Sequence, residues 1–409
     1  MSDSTHKRAI FILAGAVFAT MLGNGMVMPF IPVYVAQFGL GGLGAGLLFS
    51  VHAATRTVLL PFIGRASDRW GRRGFLLVGV LFYALASLAY PLADRVAAFV
   101  GIMAVHGTGM AIVHLVSMAY VGDLAPRGEE GRYSGYMNTA LLGGIASGPV
   151  LGGVIRDLSS MSVNFLTMSV MSGVSSFLLA VLLPPVESIR TGPKNPQPAA
   201  TRPWQLLSCR PVVGVASFRL AYACTNALIW IFLPVLAARL WTLSTTQIGV
   251  LISVNVMIST VLQAPCGRLA DRKRKAVLIA LGGVGSALAL AAVPFATVFW
   301  QVLALNICIG ACYGLAFPAH TAVGMENAGP YGMATVMSLL MMAHGAGMMV
   351  GPLLFGAIAD QLSLAWAFWV GGLINLGLVI ACWLLLAGAS SKLEVEPLRP
   401  VNTDPVEAE

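Results

Sequence analysis

Charge is what this sequence has least of. Asp, Glu, Lys and Arg make up only 10% of its 409 residues, against roughly 25% in a soluble domain, which is too little to coat a water-soluble globule of this size. No collagen-like period organises its 45 glycines, and 57% hydrophobic residues exclude a disordered chain. Cysteine is sparse too. All six (Cys209, Cys224, Cys266, Cys308, Cys312 and Cys382) fall in the second half, within or at the ends of apolar stretches, so no extracellular disulfide framework is expected. Cys308 and Cys312 stand one helical turn apart, but buried cysteines usually serve as small hydrophobes, and no metal site is assigned. No nucleophile–base pair or metal-ligand cluster shows a recognisable spacing, so neither an enzyme nor a bound cofactor is expected.

What remains is a protein dissolved in lipid. Apolar runs occupy residues 9–35, 43–64, 74–93, 97–121, 134–156, 162–184, 211–238, 246–266, 276–295, 299–323, 333–358 and 363–388. A spanning helix takes about 20 such residues, so the sequence predicts an all-α membrane protein of twelve transmembrane helices without a large soluble domain. The first run is too long for a signal peptide and lacks its small-residue cleavage site. A Pro-rich polar stretch, 185–210, reads as a cytoplasmic linker between an N-terminal six-helix bundle, 1–184, and a C-terminal one, 211–388. Residues 389–409 read as a polar cytoplasmic tail.

Basic residues set the expected orientation. Of the 24 Lys and Arg, 19 fall on the side of the amino terminus, while Arg95, Arg156 and Arg239 fall on the other. Positively charged loops stay in the cytoplasm, so both termini are placed there. The same bias accounts for the formal net charge of +8, and no nucleic-acid partner is needed to explain it. A monomer in a bacterial inner membrane is expected.

The chain also repeats itself. Gly64-Arg65-Ala66-Ser67-Asp68-Arg69 returns 203 residues later as Gly267-Arg268-Leu269-Ala270-Asp271-Arg272. Gly144, Gly148, Pro149, Gly153 and Asp157 return at the same offset as Gly347, Gly351, Pro352, Gly356 and Asp360, and Asp123 as Glu326. Asn24 and Pro32 match Asn226 and Pro234 at an offset of 202. Two homologous halves, both starting in the cytoplasm, are related by an axis along the membrane normal. Such halves enclose a cavity near the midplane that opens to either side as they rock, which is alternating access.

The run Gly64-Arg65-Ala66-Ser67-Asp68-Arg69-Trp70-Gly71-Arg72-Arg73 resembles the loop motif between helices 2 and 3 of the major facilitator superfamily, and the likeness extends from residue 9 to 388. Gly64 and Gly71 would permit a tight loop, while Asp68 would accept hydrogen bonds from a helix start and pair with Arg72. The resemblance implies that Gly64, Asp68, Arg69, Gly71, Arg72 and Arg73, with Asp123 as second partner of the arginines and Asp271 in the repeat, form a cytoplasmic latch. It would close in the outward-facing state and break in the inward-facing one. Gly144, Gly148, Pro149, Gly152 and Gly153 on helix 5 resemble a motif of the twelve-helix drug:proton antiporter branch; small residues every fourth position let helix backbones approach, and Pro149 bends the helix. Two features depart from that branch. Met103 stands four residues before Gly107 where the branch has Arg, and every Asp and Glu falls at a loop, a helix end or the tail.

Intramembrane charge costs roughly 2.5–3.5 kcal/mol per Arg at a helix centre, so it marks function by default. Arg56 in helix 2 and Arg219 in helix 7 bear that cost. An anionic substrate group would satisfy them; alternatively they snorkel to the surface or pair with Asp68 or Asp123. His52 joins Arg56 and Tyr222, Asn226 and Trp230 join Arg219 at helical spacing, Tyr313 and Phe317 share such a spacing on helix 10, and these with Asn24 are the candidate substrate contacts. Without buried carboxylates, His106, His114 and His344, with His52, are the candidate proton carriers. The expected function is a secondary active transporter, efflux-type and proton-coupled, for a small organic solute of anionic or amphipathic character. The alternatives are a proton-coupled importer of a small organic acid and a transporter-like sensor or scaffold that moves nothing.

Overall fold

A computed structural model describes residues 3–125, 129–183, 206, 208–328 and 332–393. Most of the expected linker and tail, at 184–205 and 394–409, lies outside them. Among the described residues twelve helices are long and apolar enough to cross a membrane: α1 Lys7–Phe38, α2 Gly42–Trp70, α3 Arg72–Leu92, α4 Val96–Leu124, α5 Gly131–Leu158, α6 Met161–Leu182, α7 Arg210–Leu240, α8 Thr245–Arg272, α9 Lys275–Phe295, α10 Phe299–Glu326, α11 Thr335–Gln361 and α12 Leu364–Ala387. No strand occurs among the described residues. Several helices outrun their apolar stretches. Helix α2 continues through Asp68 and Arg69 to Trp70, and α4 through Asp123 to Leu124, because beyond the hydrocarbon water can satisfy the last carbonyls of a polar helix end.

Proline locally reshapes the first span of each half. Pro32 and Pro234 lack the N–H that a regular helix would donate one turn back, and each follows an irregular turn. Met28–Phe30 is a 3₁₀ turn within α1, and Leu228–Phe232 is a π turn within α7.

The helix pairings repeat with the sequence. In the first half α1 packs on α5 and α6, α2 on α4, and α3 on α4 and α6. In the second, α7 packs on α11 and α12, α8 on α10, and α9 on α10 and α12. Adding six to each number of the first set gives the second. The halves meet along α2 with α11 and α5 with α8, and where the ends of α1 and α7 touch. The face bearing the α2–α3 and α8–α9 connections, with the start of α1, is called the near face here; the α1–α2 and α7–α8 connections lie on the far face.

Large apolar side chains such as Phe11, Phe62, Phe177, Leu288 and Leu373 point outward, more than half exposed, as lipid contact requires. Inside each half, polar groups tie helices together. Ser87 Oγ donates to Phe165 O at 2.6 Å and Asn164 Nδ2 to Gly152 O at 2.8 Å. In the other half Asn375 Nδ2 reaches Thr225 Oγ1 at 2.9 Å, Tyr313 Oη at 3.2 Å and Ser286 Oγ at 3.3 Å.

Candidate functional site

Between the halves lies a cavity of about 230 Å³, just below the roughly 300 Å³ at which drug-sized pockets begin. Both halves line it. Asn24 on α1, His52 and Arg56 on α2 and Met110 on α4 face Tyr222, Asn226 and Trp230 on α7, Tyr313 on α10 and His344 on α11. Of the nine expected substrate contacts, seven therefore line one cavity, and Arg219 and Phe317 do not.

Arg219 stands behind Tyr222 instead. It is only 8% exposed, with its guanidinium 4.7 Å from the centre of the Phe317 ring and 5.7 Å from that of Tyr222. The ring quadrupoles attract the cation, while its Nε has no hydrogen-bond partner. Neither Asp68 nor Asp123 meets it, so the two aromatic residues read as substrate contacts also hold an arginine. Arg56 is held loosely, its Nη2 3.5 Å from His114 Nδ1. As arginine only donates, that nitrogen of His114 accepts.

The histidines separate into two kinds. His106 is buried behind Asn24, with Nε2 donating to Asn24 Oδ1 at 3.0 Å and Nδ1 accepting from Tyr90 Oη at 2.9 Å. A neutral ring satisfies both bonds. His52 Nε2 and His344 Nδ1 are buried without partners, and both residues line the cavity. Arg56 and His344 also share a smaller recess between α2 and α11.

Sequence reading missed Asn255, Ser259 and Gln263, which supply the polar lining from α8. Their spacing of four and four marks one face of a helix. The repeat offset of 203 maps His52 onto Asn255 and Arg56 onto Ser259, so both signals were present.

On the near face Arg72 lies between Asp68, at 3.0 Å, and Asp123, which takes both its Nε and Nη2. Arg73 donates to the Ala180 carbonyl. Lys275 pairs with Glu326 at 2.8 Å, the repeat of Arg72 with Asp123. Gly71 makes the turn with φ of +94°, a conformation that glycine adopts freely, whereas Gly64 sits inside α2 and shapes no loop. Arg69 and Asp271 are exposed at helix ends.

The glycine motif of α5 serves two joints. A Cβ on Gly144 would lie 2.9 Å from Leu22 N, one on Gly148 2.6 Å from Gly25 Cα, and one on Gly152 2.7 Å from Met26 Cα, all on α1. A Cβ on Gly153 would lie 2.7 Å from Thr246 Cα on α8, and one on Gly249 of α8 2.7 Å from Pro149 C. The last two contacts cross between the halves.

Beside that joint, Asp157 accepts from the amides of Thr245 at 2.9 Å and Thr246 at 2.8 Å. Asp360 accepts from those of Gly42 at 2.6 Å and Leu43 at 2.8 Å. Both carboxylates end helices of one half and cap helices of the other on the far face.

The chain is similar to an MFS-type transporter over most of its length and to two resistance proteins over part of it. An uncharacterized MFS-type transporter of Methanocaldococcus jannaschii is 24% identical over 95% of this chain and 99% of its own. Multidrug resistance protein 2 of Bacillus subtilis is 30% identical over 38% of each chain. The quinolone resistance protein NorA of Staphylococcus aureus is 23% identical over 43% of this chain and 45% of its own; these two likenesses thus span less than half of the resistance proteins. The solved structure of a bacterial homolog of the human lysosomal transporter Spinster, inward-facing and unoccupied, superposes with a TM-score of 0.76 at 14% identity, covering 98% of this chain and 100% of that one. The Major Facilitator Superfamily model matches residues 13–240 and again 215–407, and with twelve spans in two repeated halves around a central cavity the chain belongs to that superfamily.

Proposed function

We propose that this transporter exports a small organic solute of anionic or amphipathic character from the cytoplasm, in exchange for protons. One observation carries the reading: one arginine lines the cavity and a second, from the other half, stands behind its wall, with no carboxylate beside either among the described residues. Arg56 lines the cavity and shares a recess with His344, while Arg219 backs the Tyr222 wall that His344 also meets. A fixed positive field without its own counter-ion favours an anion, and Tyr222, Trp230 and Met348 offer apolar surface for the rest of the solute. Efflux is favoured by the likeness to the two resistance proteins. His344 and His52, unpartnered and at the cavity wall, are the proton carriers in this reading; His106 and His114 position Asn24 and Arg56. The near face, with 19 of the 24 basic residues by sequence position, is cytoplasmic, and the monomer is the working unit.

The purified protein screened for thermal stabilisation against panels of organic acids and organic cations at two pH values gives the first test. Organic acids are expected to stabilise it. Arg56→Ala is expected to weaken the best acid about 30-fold or more, with Arg56→Lys in between, and to abolish its flux in proteoliposomes. Stabilisation and flux confined to cations would overturn the anion reading, and no flux under any gradient would leave a sensor or scaffold.

A further inference from the structure

We infer that Asp157 and Asp360 are the gate carboxylates of the transport cycle. Each clamps the start of a helix in the opposite half, together they hold the far face shut, and both must release for the cavity to open there. The inference concerns how the halves move and is independent of the solute carried.

The geometry is a device built twice. Asp157 and Asp360 are 203 residues apart, as are Gly42 and Thr245, whose amides they engage. Each carboxylate uses both oxygens to accept from two successive backbone N–H groups. Those are among the donors that a helix start leaves without intrahelical partners, at the positive end of the helix dipole. Charge-assisted bonds to such amides are stronger than neutral ones.

Location within their own helices supports a cross-half role. Asp157 and Asp360 are the penultimate residues of α5 and α11, at the negative end of those helix dipoles, where an acidic residue is disfavoured. Closing the far face moves each onto the positive end of another helix, so the favourable interaction exists only while the halves are together. The backbones beside the clamps are close as well. A Cβ on Gly356 would lie 2.9 Å from Leu43 Cα, and one on Gly42 3.1 Å from Ala359 Cβ, so the contact is lost as a unit when α2 and α11 part.

The two clamps are unequal. Ser244 and Gln247 form a capping box on α8: Ser244 Oγ accepts from Gln247 N at 3.2 Å, and Gln247 Oε1 accepts from Ser244 N at 2.9 Å. Helix α2 begins at Gly41 and Gly42 and has no cap from its own side chains. Asp360 therefore supplies what α2 lacks, whereas Asp157 supplements a start that is already partly satisfied. Releasing Asp360 should open the far face further than releasing Asp157.

Hydrogen–deuterium exchange on the full-length protein in lipid nanodiscs, without substrate, tests this directly. Peptides covering 38–48 and 243–250 report the clamped amides, and peptides around 70–78 report the near face. An asparagine presents only one accepting oxygen and aims its amide donor at the second N–H. Asp360→Asn is expected to raise opening at the far-face peptides about tenfold. Asp157→Asn should raise it less, the double variant most, and Asp360→Glu, which keeps the charge, should lie nearer wild type. Near-face exchange should stay the same or fall. Wild-type exchange at the far face in the double variant would overturn the assignment. A uniform rise over both faces in Asp157→Asn and Asp360→Asn alike would also overturn it, since the carboxylates would then hold the fold together and not the gate.

Discussion

The two faces of this transporter are fastened differently. On the near face, Arg72 with Asp123 and Lys275 with Glu326 join α3 to α4 and α9 to α10, within one half each. On the far face Asp157 and Asp360 reach from one half to the other. Both arrangements obey the same repeat, yet of these contacts only the second set joins the halves. Contacts inside a half keep a six-helix unit rigid, and contacts between halves decide which way the cavity opens. Two cross-half carboxylate clamps on the far face, with α1 and α7 also touching there, describe a molecule closed on that side.

The strongest way to break this comparison is steric. Gly153→Leu would place a side chain where α5 and α8 meet, with its Cβ 2.7 Å from Thr246 Cα, against backbone that cannot rotate away. The far face should then fail to close, with rapid amide exchange across 243–250 and loss of transport. Gly135→Leu on the same helix, with nothing within 4 Å of its Cβ, should leave both near wild type. Equal behaviour of the two variants would show that close approach at the far face does not matter.

Much of the fold was legible in the sequence. The hydropathy of the chain read out the twelve spans, and the 203-residue offset read out the two halves, because lipid demands apolar runs and a duplicated fold keeps its packing glycines. The cavity was legible in part. Asn24, His52, Arg56, Tyr222 and Trp230 are polar or aromatic residues in apolar helices, which is conspicuous in one dimension. The holding of Arg219 by Phe317 and Tyr222 was not, since it depends on how α7 and α10 face each other. Asp157 and Asp360 stood in the repeat, but their partners are backbone amides of distant residues, and an amide carries no letter in a sequence.

A smaller effect sharpens the near-face side of the comparison. The side chain of Arg72 is 14% exposed and that of Asp123 28%, so the pair is partly shielded from water. Asp123→Asn removes the charge from a bidentate partner and should destabilise the protein by about 1–2 kcal/mol, read as a lower apparent unfolding midpoint. Far-face exchange should remain at the wild-type level, because the pair lies inside one half. A rise in far-face exchange would mean that the two faces are coupled through α3 and α4.

The smallest effect is expected at the repeat of that pair. Lys275 and Glu326 are 2.8 Å apart, but the Glu326 side chain is 57% exposed, and water and salt screen an ion pair of this kind. Glu326→Gln should therefore change stability by about 0–1 kcal/mol, less still at high ionic strength. Measured beside Asp123→Asn in low and high salt, it asks whether repeated positions have kept equal weight. A salt-sensitive loss as large as that of Asp123→Asn would make the two pairs equivalent. A negligible one would show that duplication kept the geometry of the pair while burial concentrated its energy in the first half.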